Sequence, residues 1–177
     1  MPLSLANPLR RHNGGLTKDE LAEKVGKLYA FFYQGLWDFC DIRTVTENYV
    51  EKRKDWRKKL IIKMGYPCKV AGFKRGEKVY TRIIGRDIVI RKDWHGYPTR
   101  LETTNKNTRV FLTPVLLALG YDHGDLVIVL AKRGEIRVKD AEIEFKKLEM
   151  YLKKRREKYV REIDKISDYI SEDSFDI

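Results

Sequence analysis

The chain places two carboxylates and a histidine close together, at Asp122, His123 and Asp125 of the stretch GYDHGD. Side chains of these types act as metal ligands or as general acids and bases. Glycine and aspartate at this spacing are also typical of turns, because glycine adopts positive φ and aspartate accepts from nearby backbone N–H groups. We therefore interpret the three as turn residues, and we predict neither a metal nor a catalytic site there.

Other reactive side chains do not form a recognised catalytic pattern. The only further histidines are His12 and His95, and the chain has no phosphate-binding GxxxxGK[ST], no HExxH and no GxSxG motif. Asp38 and Asp41 are two acids near the end of a predicted helix, and their spacing does not specify a metal site. We predict a protein that is not an enzyme and has no cofactor; a metal-dependent enzyme is the remaining alternative.

Composition indicates a folded domain without a membrane span. Hydrophobic residues make up 42% of the 177 residues, and no stretch approaches the ~20 apolar residues that cross a bilayer. Cys40 and Cys68 are too far apart for a metal knuckle and too few for a disulfide scaffold. With no apolar leader segment, these features predict a cytoplasmic protein with reduced thiols. A single glutamine among many Lys, Arg, Glu and Ile is typical of thermophiles.

Positive charge is concentrated in one region. The formal net charge is +11, and residues 66–109 hold eleven Lys and Arg against four Asp and Glu. A concentrated basic field favours a polyanionic partner such as nucleic acid. The alternative is a solvated surface of the thermophilic type.

The first 65 residues are predicted to be an arm followed by helices. Residues 1–15 have the composition of a flexible arm. Thr17 and Glu20 then form a capping box, and apolar residues at helical spacing predict a helix over about 17–34. Residues 45–64 fit either one helix or two strands around the charged turn RKDW, and their Lys, Arg and Glu content favours the helix. We therefore predict a helical region over 16–65.

The remainder divides into a strand-rich region and a long helix. Short β-type runs separated by glycine turns predict a small barrel or sandwich over 66–138. Residues 139–177 predict a C-terminal helix with a fraying tail. Its apolar residues from Phe145 to Ile170 follow a spacing of three and four, which indicates a docking or coiled-coil stripe.

Two segments of the chain resemble each other. GFKRGEKVYTRIIGRDIVIRKD (72–93) and GYDHGDLVIVLAKRGEIRVKD (120–140) share glycines at Gly72 and Gly120 and at Gly76 and Gly124. The similarity is either chance likeness between two hairpins or a repeat of one strand unit. A repeat would allow one barrel to close within a single chain.

The stretch TRVFLTPVLLALGYDHGDLVIVLAKRGEIRVK resembles the AbrB/SpoVT swapped-hairpin domains. Arg109-Val110 stands at the family's Arg-Val position, Thr113-Pro114 at its proline, Leu119-Gly120 at its helix end and Gly124-Asp125 at its turn. Proline suits the first turn of a helix, and glycine its C-terminal cap. The resemblance covers about residues 98–140, with a weaker echo at 66–93.

The resemblance implies an α+β fold, a small β-barrel of swapped-hairpin type flanked by N-terminal helices and a long C-terminal helix. Family members act as dimers, and basic residues on their first strands and following loop contact DNA. Arg109 matches such a contact arginine, and Arg100 on the preceding strand is a second candidate.

This chain departs from the family at two places. Thr108 replaces the glycine before the arginine, and the short helix, VLLAL, carries no arginine. The nucleic-acid contacts then pass to the upstream basic strands, with two aromatic residues that could stack on bases. The candidate binding residues are Lys69, Lys74, Arg75, Lys78, Arg82, Arg86, Arg91, Lys92, Trp94, Tyr97, Arg100, Lys106 and Arg109.

These features together predict a DNA-binding transcription regulator or nucleoid-type architectural protein. A homodimer or a protein partner held through the C-terminal helix would accompany that role. The alternative is an RNA-binding or ribosome- or virion-associated structural protein, since basic strands and long helices suit RNA equally well.

Overall fold

A computed structural model describes the backbone of residues 15–50, 57–104, 107–110 and 112–175. It contains four α-helices and nine β-strands in a mixed order, so the predicted α+β class is confirmed. The predicted arm, apart from Gly15, lies outside the described residues. The helices are α1 (Lys18–Leu28), α2 (Gly65–Ala71), α3 (Thr113–Ala118) and α4 (Ala141–Phe175). The strands are β1 (Phe39–Thr44), β2 (Thr46–Val50), β3 (Arg57–Ile61), β4 (Lys78–Ile84), β5 (Asp87–Arg91), β6 (Tyr97–Thr104), β7 (Asn107–Val110), β8 (Leu126–Lys132) and β9 (Glu135–Asp140).

The first helix begins where the capping box predicts. The Thr17 hydroxyl accepts from the Glu20 N–H at 3.2 Å, which satisfies one of the unpaired donors of the first turn. Leu21, Val25 and Leu28 are buried along one face of α1. The helix then widens into one π-helical turn over Tyr29–Tyr33. The predicted helix over 17–34 is thus confirmed, with a change of winding near its end.

The helix that the sequence favours over 45–64 is wrong. The structure has the other alternative, the antiparallel strands β2 and β3, with Thr46 opposite Ile61. Leu60, Ile62 and Met64 are almost completely buried. That period of two suits an extended chain crossing the core, and core burial outweighs the helix propensity of the charged residues. Among the described residues between Leu16 and Met64, the chain is therefore helical only as far as Tyr33.

The main sheet is antiparallel and open, so the predicted closed barrel is wrong. The strand order is β1-β8-β9-β5-β4-β6-β7, and β2 and β3 form a separate pair. The outer strands β1 and β7 do not pair with each other, and among the described strands β2, which follows β1, pairs only with β3. Leu60 of β3 and Val110 of β7 belong to the same core cluster as the sheet residues. The hairpins β2–β3 and β6–β7 thus both contribute to the core, but among the described residues no hydrogen-bonded ladder between them closes the sheet.

The two similar segments of the sequence form a structural repeat. The Gly76 N–H donates to the Leu101 carbonyl, and the Leu101 N–H donates to the Glu77 carbonyl, at 3.0 and 3.1 Å. The Gly124 N–H donates to the Val45 carbonyl, and the Val45 N–H to the Asp125 carbonyl, at 2.7 and 2.8 Å. We call residues 39–93 and 97–140 the two halves of the chain. The same pair of backbone hydrogen bonds therefore joins the repeated segment of one half to Leu101 on β6 and that of the other half to Val45, the residue after β1.

The strand register has the matching symmetry. In the central pair, Ile88 lies opposite Val138 and Ile90 opposite Ile136. Hairpin β4–β5 pairs with β6, while hairpin β8–β9 pairs with β1. Each half of the chain therefore gives its hairpin to the first strand of the other half. A local two-fold axis passes between β5 and β9.

The core lies against one face of this sheet. Val79, Ile88, Val127 and Val138 are fully buried there, beneath α2 and α3. On β5 the intervening Val89 is also fully buried, although it must point to the opposite face. The centre of the sheet is therefore covered on both faces, which explains the uninterrupted apolar runs of β5 and β8.

The C-terminal helix is confirmed as one long element. The Asp140 carboxylate accepts from the Ile143 N–H at 3.2 Å and caps the start of α4. The chain divides into two compact units, one that ends at Glu144 and one that begins at Phe145. Among the helices of the described ranges, none combines the length and apolar content that a membrane crossing requires.

Candidate nucleic-acid interface

The cluster of Asp122, His123 and Asp125 forms a turn. The Asp125 carboxylate accepts from the Asp122 N–H at 2.8 Å, and His123 Nδ1 accepts from the Glu47 N–H at 2.9 Å. Asp125 is buried, and Gly124 has a φ of 90°, in the left-handed region. These hydrogen bonds stabilise the turn between α3 and β8, and His123 connects that turn to β2. Their interpretation as turn residues is confirmed.

Exposed cations follow α2, β4 and the turns beside them. Lys78 and Arg82 alternate on β4 with the buried Val79 and Thr81, so they point away from the core. Lys69 lies on α2, Lys74 and Arg75 lie in the turn before β4, and Arg86 lies in the turn after it. We call Lys69, Lys74, Arg75, Lys78, Arg82 and Arg86 the β4 basic surface; all six are exposed. Lys69 lies on the α2 side of the sheet, whereas Lys78 and Arg82 lie on its opposite face.

Among the described residues, three acids of this region form ion pairs with cations that do not belong to the β4 basic surface. Glu77 accepts from Lys92 Nζ at 2.8 Å, and Asp87 accepts from Lys139 Nζ at 2.7 Å. Asp93 accepts from Arg91 Nε at 3.0 Å. The bond from Lys92, together with one from the Lys74 N–H, lowers the pKa of the Glu77 carboxyl.

The β4 basic surface consequently keeps its charge. Within the described part of the chain, none of its six cations forms an ion pair. Arg86 Nη2 instead donates to the Leu119 carbonyl at 3.4 Å, and Arg82 Nε donates to the His95 carbonyl. These contacts orient the two guanidinium groups without neutralising them.

Trp94 is held at this surface by three contacts. Its Nε1 donates to the Tyr80 carbonyl at 2.8 Å. The guanidinium carbons of Arg82 and Arg91 lie 4.5 and 5.6 Å from the centroid of its ring. The indole therefore positions two arginines through cation–π contact. The Trp94 side chain is half-buried.

The other predicted binding residues differ in their surroundings. Tyr97 begins β6 and is exposed, whereas Arg91 and Lys92 are engaged with Asp93 and Glu77. Arg100 lies on β6 and Arg109 on β7, and both side chains lie outside the described residues. Lys106 lies wholly outside them.

Sequence reasoning missed a second cluster of tryptophan and cations. Lys132 Nζ lies 4.8 Å from the centroid of the Trp37 ring, and the Arg137 guanidinium carbon lies 5.9 Å from it. Trp37 precedes β1 as Trp94 precedes β6, so each half of the repeat begins with one such cluster. The sequence signal for this cluster is a tryptophan shortly before the first strand of each half, Trp37 before β1 and Trp94 before β6.

Comparison with known proteins adds no relative. No family model matches the chain, and neither a curated protein nor a solved structure shows significant similarity to it.

Proposed function

We propose that this is a non-enzymatic DNA-binding protein, a transcription regulator or nucleoid-type architectural protein, that holds duplex phosphates with the β4 basic surface. The observation that carries the proposal is the excess of exposed positive charge on and beside β4. Among the described residues of 66–109, Glu77, Asp87 and Asp93 have cationic partners, while six exposed cations form no ion pair with any described acid. Such a field attracts a polyanion.

We further propose that the fold is a single-chain form of the AbrB/SpoVT swapped-hairpin type. The exchanged pairings, β4 with β6 and β8 with β1, support this proposal. In that family two protomers interleave their hairpins. Here the two halves of one chain supply both, and the local two-fold axis between β5 and β9 takes the place of the dimer axis.

Binding through phosphates should depend steeply on salt, because each neutralised phosphate releases condensed counterions. If the six cations each contact a phosphate, affinity falls about 10³-fold between about 50 mM and about 200 mM salt. Fluorescence anisotropy with a short labelled duplex, titrated at both concentrations, measures this effect. Weak binding even at the lower salt concentration would contradict the proposal.

Charge reversal locates the surface. Lys74→Glu with Lys78→Glu should weaken binding and reduce the slope of log affinity against log salt by about two, one for each lost contact. The matched control is Lys18→Glu with Lys27→Glu on α1, which changes the net charge equally at a distance from β4. Equal losses in both variants would show that net charge alone acts.

The nucleic acid itself needs a separate measurement. Competition of the labelled duplex against structured and single-stranded RNA compares the two classes. A preference for RNA above about tenfold, or 1.4 kcal/mol, would replace the DNA proposal by the RNA-binding alternative.

A further inference from the structure

Helix α4 carries an apolar stripe that solvent reaches. Tyr159, Ile163, Ile166 and Ile170 are each half exposed or more. Their spacing of four, three and four places them on one face of the helix. Isolated exposed apolar residues are ordinary, but a continuous row at coiled-coil spacing indicates a face that another helix covers.

The stripe has an internal symmetry. Its four residues are arranged evenly about the peptide bond between Asp164 and Lys165. In an antiparallel pair centred there, Ile163 meets the partner's Ile166, and Tyr159 meets the partner's Ile170. All four residues of each copy then lie in matched layers.

Charge along α4 is divided between its two halves. Residues 145–161 carry eight Lys and Arg against two acids, whereas residues 162–175 carry five acids against one Lys. A parallel pair would set the basic halves side by side. An antiparallel pair sets the basic half of each helix against the acidic half of the other, at a separation within the Debye length of ~10 Å.

We propose that α4 pairs antiparallel with α4 of a second copy of this chain, through the stripe Tyr159, Ile163, Ile166 and Ile170. The acidic half of the helix disfavours a polyanion as its occupant, and the divided charge complements itself. The proposal goes beyond nucleic-acid binding and does not depend on it.

Sedimentation equilibrium of the full-length chain tests the pairing. The wild type should be a dimer, and Ile163→Glu with Ile166→Glu should be a monomer, because four carboxylates would meet in the layers. The matched control, Met150→Glu, changes an exposed apolar residue outside the stripe and should remain a dimer. A wild-type monomer at about 100 μM, a concentration that detects even weak pairs, would overturn the proposal. So would a double variant that stays dimeric.

Cysteine cross-linking tests the direction and does not require a disruptive variant. A Tyr159→Cys chain mixed with an Ile170→Cys chain should form a disulfide between the two different chains. Two copies of position 159 would lie about 16 Å apart along an antiparallel pair, at 1.5 Å per residue, too far for a disulfide. The wild-type chain, with Cys40 and Cys68, is the blank. Cross-links of Tyr159→Cys chains with each other would show a parallel pair and overturn the proposal.

The salt dependence of the dimer distinguishes electrostatic attraction between the helices from apolar association. High salt screens the attraction between the two halves but strengthens apolar association. The dimer should persist at about 1 M salt, where the Debye length is about 3 Å. Dissociation there would overturn the role of the apolar stripe.

Discussion

Gly96 occupies a position that has no room for a side chain. A Cβ atom built there would lie 2.5 Å from the Thr81 carbonyl oxygen on β4. The close approach lets the segment after Trp94 enter β6 against β4. Glycine is required by contact here, since its φ is not in the left-handed region.

Gly96→Ala should lower the free energy of unfolding by about 1–3 kcal/mol, because the new methyl forces backbone apart. Urea denaturation measures the loss. The control is Gly26→Ala in α1, where nothing lies within 4 Å of the added carbon. That change should stabilise the protein by up to about 1 kcal/mol through helix propensity. A neutral Gly96 variant would show that β4 and β6 can separate freely.

Two thiols and one phenol resist ionisation in the folded chain. Burial raises the pKa of Cys68 to about 12 from an ordinary 9.0. Burial, with the negative charges of Asp41 and Glu144, raises that of Cys40 to about 12 as well. Tyr33 donates to Glu144 at 2.6 Å, and burial with this bond raises the pKa of Tyr33. In each case the folded chain favours the protonated form.

Stability should therefore decline in alkali. The unfolded thiols release protons above about pH 9, while the folded ones keep them until about pH 12, so the free energy of unfolding falls across that interval. Urea denaturation at a series of pH values measures the decline. Cys40→Ala with Cys68→Ala should decline less steeply than the wild type. Identical slopes would assign the effect to other groups.

At the scale of elements, two ion pairs flank the local two-fold axis. Asp87 on β5 pairs with Lys139 on β9, and Glu135 on β9 pairs with Arg91 on β5, at 2.7 and 3.5 Å. They occupy equivalent places in the two repeats. Arg137 lies between them, within 3.5 Å of Asp87 and 3.6 Å of Glu135. The pairing fixes the register of the central strands.

Asp87→Asn should cost about 1–3 kcal/mol, because it leaves the largely buried Lys139 ammonium poorly paired. Asp93→Asn makes the same change in charge at a carboxylate whose side chain is 69% exposed. It should cost under about 1 kcal/mol. Thermal unfolding of both variants compares them. Equal effects would show that the Asp87 pair does not hold the β5–β9 junction.

At the scale of the whole molecule, the antiparallel α4 pair would give each dimer two β4 basic surfaces. Bivalent binding raises apparent affinity when one ligand reaches both sites. The variant Ile163→Glu with Ile166→Glu should then bind a long duplex more weakly than the wild type, by about 10²-fold or more. Its affinity for a duplex long enough for one site should be unchanged. Anisotropy with both lengths tests this; equal loss on both would indicate a damaged binding surface.

Helix caps and turns could be predicted from the sequence, because residues close together in the chain determine them. Thr17 caps α1, and Gly120 and Gly124 lie between the end of α3 and the start of β8. Asp122 and Asp125 close the turn there through a hydrogen bond three residues apart. The sequence offered the repeat as one of two alternatives, because Gly72 and Gly76 recur as Gly120 and Gly124, and all four take positive φ. The basic composition of 66–109 followed directly from counting.

The tertiary structure decided what depends on distant partners. Residues 45–64 became strands because Leu60, Ile62 and Met64 reach the core, and the sheet stayed open because β1 and β7 do not pair. It also decided which cations have acidic partners: Lys92 and Arg91 pair with acids, whereas Lys78 pairs with no acid among the described residues. The sequence determined each residue's propensity and charge. Burial and pairing across the chain, whose energies exceed local propensity, determined where those residues act.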